Sequence, residues 1–170
     1  MHLNAQALDA TDYRILRELC QEGRSTDVTL GERVHLSSTA VARRRGILED
    51  NGIIAGYSAN LNLALLGFTS VVMVAIELVS QTEKILLEFE QEVIKCPSIS
   101  YCGFVSGDVD FMIMLHINSF NDYDQIYRRE LANLPHVAKI RSSFVLREVA
   151  RRITPPIVFD GQTNREFSPK

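Results

Sequence analysis

Cysteine is scarce in this sequence. Its 170 residues hold Cys20, Cys96 and Cys102, with no CxxC pair and no Cys/His spacing that suits a metal. An odd number of dispersed thiols argues against a disulfide framework and a zinc site, and reduced core thiols in a cytoplasmic protein are the expectation. His2, His35, His116 and His136 are equally scattered, so no metal site is expected there either. Long apolar runs are missing too. The longest, VVMVAI at 71–76, is too short to cross a bilayer. The segment MHLNAQALDATD has no basic stretch followed by an apolar one, so it does not read as a secretory leader. Positive charge is not in excess. The formal net charge is −3, with 7 Lys+Arg against 8 Asp+Glu in residues 1–60 and 11 against 13 in residues 61–170. A polyanion must therefore be met by a local patch and not by a whole-domain field. Nucleophile–base patterns and phosphate-loop glycines are absent, so neither an enzyme nor a cofactor is expected. The pairs Asp122/Asp124 and Glu88/Glu92 read as solvated helix faces.

What is present is apolar patterning. Hydrophobic residues make up 46% of the chain and charged residues 23%, enough to build one medium domain or two small ones. Residues 8–50 read as three helices. The first starts near Asp9, which can cap free N–H groups, with Asp12 adding negative charge to the first turn. Ile15, Leu16 and Leu19 share a face, and Gly23 ends the helix. The second runs from about 27 to 34 with Val28, Leu30 and Val34 available to pack inward. The third begins at Ser37 or Ser38 and stops at Asn51-Gly52, with Val41 and Leu48 two turns apart on one side. A short turn between the second and third makes a helix-turn-helix. The following GIIAGYSANLNL reads as an extended connector with some strand character.

The second half alternates in period. Residues 70–79 are a nearly continuous apolar strand. Residues 82–96 are an amphipathic helix with Ile85, Leu86, Phe89 and Val93 on one face. Strands at 98–107 and 111–117 flank the turn signal GDVD. A helix over 119–135 is capped by Ser119 and stopped before Pro135, and 137–149 is a last strand. The order β-α-β-β-α-β is a split βαβ, or ferredoxin-like, arrangement with both helices on one sheet face. The fold expected is therefore α+β: a winged-type helix-turn-helix over 8–60, a linker over 61–69, a βαββαβ domain over 70–150, and an irregular tail over 151–170 that covers a neighbour or frays.

Four stretches, in this order and spacing, resemble the Lrp/AsnC family of leucine-responsive and feast/famine transcription regulators. They are LDATDYRIL, LGERVHLSSTAVARR, ILEDNGIIAGYSANLN and VSGDVDFMIML, and the resemblance spans roughly residues 8–150. It implies an N-terminal DNA-binding domain joined to a C-terminal domain for effector binding and oligomerisation. It also implies dimers that assemble into tetramers, octamers or larger discs, and an amino acid or related metabolite as effector. Three departures from the family pattern stand out. His35 stands where glycine is usual, Arg45 where an apolar residue is usual, and Gly46-Ile47 where basic residues are common. A non-glycine residue with positive φ at His35 and a mid-helix glycine at 46 each cost about 1 kcal/mol.

In a helix-turn-helix the N-terminal part of the second helix enters the major groove of double-stranded DNA. Ser37, Ser38 and Thr39 can exchange hydrogen bonds there, and Arg43 and Arg44, one turn on, can reach bases or phosphates. The bland alternative is a capping Ser37 beside solvated arginines. Arg45 reads as a snorkelling stem or a salt bridge first and a DNA contact second. In the SGDVD turn, Gly107 lets backbone N–H groups approach a ligand, and Asp108 and Asp110 can receive an ammonium. The same residues also suit a tight hairpin needing them for geometry alone. The resemblance places an effector cleft at this loop, between dimers and partly lined by Ile140, Ser142 and Ser143 of the last strand. Ile140 stands where family members often carry a hydroxyl, which points to a more apolar ligand or to none. Two rivals follow: an architectural DNA-binding protein without an effector, and a sirohaem decarboxylase. The latter enzymes resemble both domains, but their His-Asn-Tyr-rich signature has no counterpart in GFVSGDVDFMIML.

Overall fold

The computed structural model describes residues 8–159, so the readings made on the segment before Leu8 and on 160–170 lie outside it. The chain divides into two compact units. Residues 8–60 join 151–159 in the first, and residues 61–150 form the second. Among the described residues no helix is long and apolar enough to cross a membrane.

The first unit contains α1 (Ala10–Gln21), α2 (Asp27–Val34) and α3 (Ser38–Asp50). Side chains start all three: Asp9 accepts from the N–H groups of Thr11 and Asp12, Thr26 from that of Thr29, and Ser37 from that of Ala40. Each cap satisfies N–H groups that the helix leaves without partners. Ile15, Leu19, Leu30, Val34, Val41 and Leu48 form the buried core. Val28, expected to face inward, is 60% exposed. It lies two residues from Leu30, about 200° around the helix, so both cannot face the core.

Between α2 and α3 the chain turns at His35, which sits in the left-handed region at φ 60, ψ 48. Gly31 is buried under this turn, and a Cβ there would stand 2.6 Å from the backbone oxygen of Leu36. The turn therefore requires both a strained residue and a close backbone approach. No strand forms in the described part of this unit, so the expected wing and the strand character of the connector are not found. The reason is local. The N–H groups of Ile53 and Ile54 fold back onto the carbonyl of Leu48, with Gly52 at φ 69, and leave no ladder to pair. The tail is not free: Pro156–Phe159 forms a 3₁₀ turn against α1. There Arg17 donates to the Phe159 carbonyl at 3.0 Å and lies over its ring. Cys20, expected in the core, is exposed.

The second unit orders β1 (Ser70–Leu78), α4 (Glu83–Val93), β2 (Ile99–Phe104), β3 (Phe111–Ile117), α5 (Phe120–Arg129) and β4 (Val137–Phe144). The sheet order is β2-β3-β1-β4, all antiparallel, as the split βαβ reading requires. Val72, Val74, Ile76 and Leu78 alternate on β1, and Phe111, Ile113, Leu115 and Ile117 on β3. They pack with Phe89 and Val93 of α4 and Ile126 of α5 on one side of the sheet. The opposite side presents half-buried Val71, Met73, Ala75, Met112 and Met114.

Several elements are shorter than expected: α4 and β2 lose a few residues at their ends, and β4 and α5 lose more. β4 stops at Phe144, not 149, because β1 ends the ladder: the Val145 N–H reaches the Val71 carbonyl, one residue after β1 begins. Beyond it Leu146 and Val149 are exposed. α5 ends at Arg129, where the Asn133 amide donates to the carbonyls of Arg128 and Arg129, and a 3₁₀ turn follows at Leu131–Asn133.

Candidate functional sites

The first candidate site is α3. Ser37 spends its hydroxyl on the cap, accepting from Ala40 N–H at 3.2 Å, yet remains exposed with Ser38, Thr39 and Arg43. Arg43 makes no ion pair among the described residues. Arg44 is placed otherwise. One of its nitrogens donates to Asp9 at 2.8 Å and to Asp12 at 2.7 Å, and its side chain is only 25% exposed. These carboxylates raise the guanidinium's pKa above its usual value. Asp9 in turn lies below the usual carboxylate value, held there first by the Asp12 N–H and then by Arg44. Arg45 forks onto Asp27, at 3.0 and 3.3 Å, and approaches Glu49 at 3.7 Å. The salt bridge expected of Arg45 is therefore formed. Tyr57 donates to Glu49 at 2.7 Å, and burial pushes its hydroxyl up to about 12.

The inward aim of Arg44 has a signal in the sequence, which treating Arg43 and Arg44 as one pair misses. Val41 and Leu48 fix the buried face of α3. Residue 44 lies three after the first and four before the second, so it shares their side, while residue 43 does not.

The second candidate site is the turn between β2 and β3. Gly107 has φ 127, which favours glycine, and open space surrounds it. Asp108 is exposed, whereas Asp110 is buried. The Asp110 carboxylate accepts from the Leu78 N–H at 2.7 Å and from the Gln81 amide at 2.6 Å. Its backbone also pairs with Ile76 and Val105. Both oxygens are thus occupied in tying the hairpin to the end of β1. The register sets Ile140 in one row with Ile76, Phe111 and Phe104, at the turn's end of the sheet. Ser142 lies one row further in, bonded to the Tyr123 hydroxyl of α5. Both face the helix-covered side, while exposed Ser143 belongs to the other face. Burial raises the Cys102 thiol to about 11 and the Cys96 thiol above its usual value, so both are held protonated.

A tri-helical head with an exposed helix N-terminus, in one chain with a split βαβ sheet, defines a DNA-binding transcription regulator with a sensory domain. Comparison with known proteins gives its family. The AsnC-type helix-turn-helix domain matches residues 8–49, and the Lrp/AsnC ligand binding domain matches residues 71–155. The chain belongs to the Lrp/AsnC family of transcription regulators. It is 33% identical over 150 residues to a proline dehydrogenase transcriptional activator of Rhodobacter capsulatus, covering 88% of this chain and 97% of that one. It is 34% identical to a Bkd operon transcriptional regulator of Pseudomonas aeruginosa, covering 88% and 98%. A transcriptional regulator of Neisseria meningitidis, solved in complex with L-methionine, superposes with a TM-score of 0.82 at 29% identity, covering 88% and 97%.

Proposed function

We propose that this regulator reads DNA in the cytoplasm with the exposed start of α3, through Ser38, Thr39 and Arg43, with Ser37 capping the helix. The observation that carries this reading is the α2–His35–α3 turn, which leaves the first turn of α3 and Arg43 uncovered by the rest of the unit. Hydroxyls and an arginine held by no carboxylate, at a helix N-terminus, suit base edges and phosphates. The half-buried face of Val71, Met73, Met112 and Met114 pairs with a second copy, so that two heads meet successive major grooves about 34 Å apart. Larger assemblies of such dimers follow the family's habit. A gel-shift titration with the gene's own upstream region tests the reading. Binding no tighter than to random DNA at physiological salt would sink it.

The sensory domain takes an amino-acid-like effector at the exposed Gly107–Asp108 turn, as the methionine complex of the Neisseria relative suggests. Asp108 is the carboxylate left for an ammonium, since Asp110 is committed to Leu78 and Gln81. A second reading, an architectural protein without effector, is favoured by Ile140 and Ser142 facing the helices. Thermal-shift screening against amino acids separates the two, because a ligand that binds only the folded state raises the melting temperature.

A further inference from the structure

Three adjacent arginines on one helix point in three directions, because successive side chains are about 100° apart. Arg43 is exposed, Arg44 turns to α1, and Arg45 turns to α2. The clamp on α1 has a specific form. Asp9 Oδ1 accepts from the N–H groups of Thr11 and Asp12, which leaves Oδ2 for Arg44. Asp12 Oδ2 accepts from the Asp9 N–H, which leaves Oδ1 for Arg44. Each carboxylate thus gives one oxygen to the cap of α1 and the other to the guanidinium. Arg45 holds the opposite flank by forking onto Asp27, the first residue of α2. The head's apolar core gives α3 only Val41 and Leu48 as buried anchors. Val41 and Leu48 set which side of α3 is buried, and the two polar clamps hold that rotation from either flank, so that the same side chains stay turned to a groove.

We propose that Arg44 is a positioning residue, which locks the rotation of α3 through Asp9 and Asp12 and leaves Arg43 as the arginine of that helix that meets DNA. The inference rests on α3 being the DNA reader. Its rival is that the carboxylates merely hold Arg44 until phosphate displaces them. The two differ in sign at Asp12. If Arg44 positions, Asp12→Asn loosens the clamp and weakens specific binding. If Arg44 binds phosphate, the same change frees it and tightens binding.

The test measures affinity for the upstream DNA and for random DNA across a salt series, well below each variant's Tm, for Arg43→Ala, Arg44→Ala, Arg44→Lys and Asp12→Asn in the full chain. Arg43→Ala is expected to weaken binding to both DNAs and to flatten the log–log salt slope by about 1 for each phosphate no longer neutralised. Arg44→Ala is expected to keep the slope and lower the ratio of specific to random affinity, by about 3–10-fold for one partly screened ion-pair site. Arg44→Lys restores part of that ratio, since one ammonium cannot hold both carboxylates as the planar group does. Asp12→Asn, which keeps the side-chain shape, lowers the ratio in the same direction. A flattened slope for Arg44→Ala, or tighter binding by Asp12→Asn, overturns the proposal. Unchanged binding by Arg43→Ala overturns the proposal as well, and together with unchanged binding by Arg44→Ala it overturns the assignment of α3 itself.

Discussion

In the sheet unit every second residue of β1 from Val72 and of β3 from Phe111 is buried, and thirteen apolar residues form its core. Among the described residues of the helical unit six do so, and α3 contributes two of them. The rest of that helix's seating is polar and directional: Arg44 on Asp9 and Asp12, Arg45 on Asp27, Tyr57 on Glu49. Apolar burial stabilises roughly in proportion to area and is indifferent to direction. Hydrogen-bonded ion pairs add little net stability when partly exposed, but they are selective in geometry. The difference teaches that the sheet unit is built for stability and the head for orientation. Substitutions of the two kinds should separate accordingly.

The largest effect belongs to the sheet core. Phe111 is 1% exposed, with its ring 4.5 Å from that of Phe89 and 5.2 Å from that of Phe104. Phe111→Ala is expected to lower the stability of the sheet unit by about 3–5 kcal/mol, read by urea unfolding. A loss under about 1 kcal/mol would mean that the apolar core does not dominate there, against the expectation for buried aromatics. Next comes Gly31→Ala in the head. The new methyl would meet the Leu36 backbone oxygen at 2.6 Å, and backbone cannot swing aside as a side chain can. The expected cost is about 3 kcal/mol, with a parallel fall in DNA affinity because the α2–α3 turn must open. If the Gly31→Ala variant melts and binds normally, this turn does not set the reading helix.

A smaller effect is expected where the sheet unit borrows the polar strategy. Asp110→Asn replaces one acceptor oxygen by a donor that faces either the Leu78 N–H or the Gln81 amide. One donor then loses its partner, buried at Leu78 or part-buried at Gln81, at about 1–2 kcal/mol. The measurement is thermal unfolding beside an effector screen. Lost amino-acid response at full stability would move Asp110 from the frame of the turn to the ligand itself.

Most of this architecture is legible in the residues, for reasons that also mark where legibility stops. The caps at Asp9, Ser37 and Ser119 and the alternation of β1 and β3 are local signals, read within a few positions. Element ends are set by distant partners. β4 ends where β1 begins, and nothing within 137–149 says so. The left-handed backbone of His136, at φ 61 beside the irregular pairing of Leu78, is equally hidden. At the candidate sites, helix phase is within reach of the sequence, since Val41 and Leu48 already turn residue 44 inward. The partners of Arg44 lie 32 and 35 positions away, and only the packed helices bring them together. Facing on β4 follows the same logic: Ile140 and Ser142 point toward the helices because of their register with Ile76 and Val74.

The smallest expected effects are gains, and they fall on the head. Gly46 lies in the middle of α3, and a Cβ there would meet nothing within 4 Å. Gly46→Ala is expected to add about 1 kcal/mol through helix propensity and a less flexible unfolded chain. His35→Gly relieves a left-handed non-glycine residue and is expected to add about the same. For a unit of this size 1 kcal/mol corresponds to about 4–8 °C in melting temperature. The two gains should differ in function. Gly46→Ala leaves both clamps of α3 in place, so the ratio of specific to random DNA affinity should hold. His35→Gly loosens the hinge on which that helix is set, so the ratio should fall even as the unit melts higher. Differential scanning calorimetry beside gel-shift titration reads both quantities. If His35→Gly raised stability and left the ratio untouched, orientation of the head would rest on the arginine clamps alone, and the strained turn would be a tolerated defect.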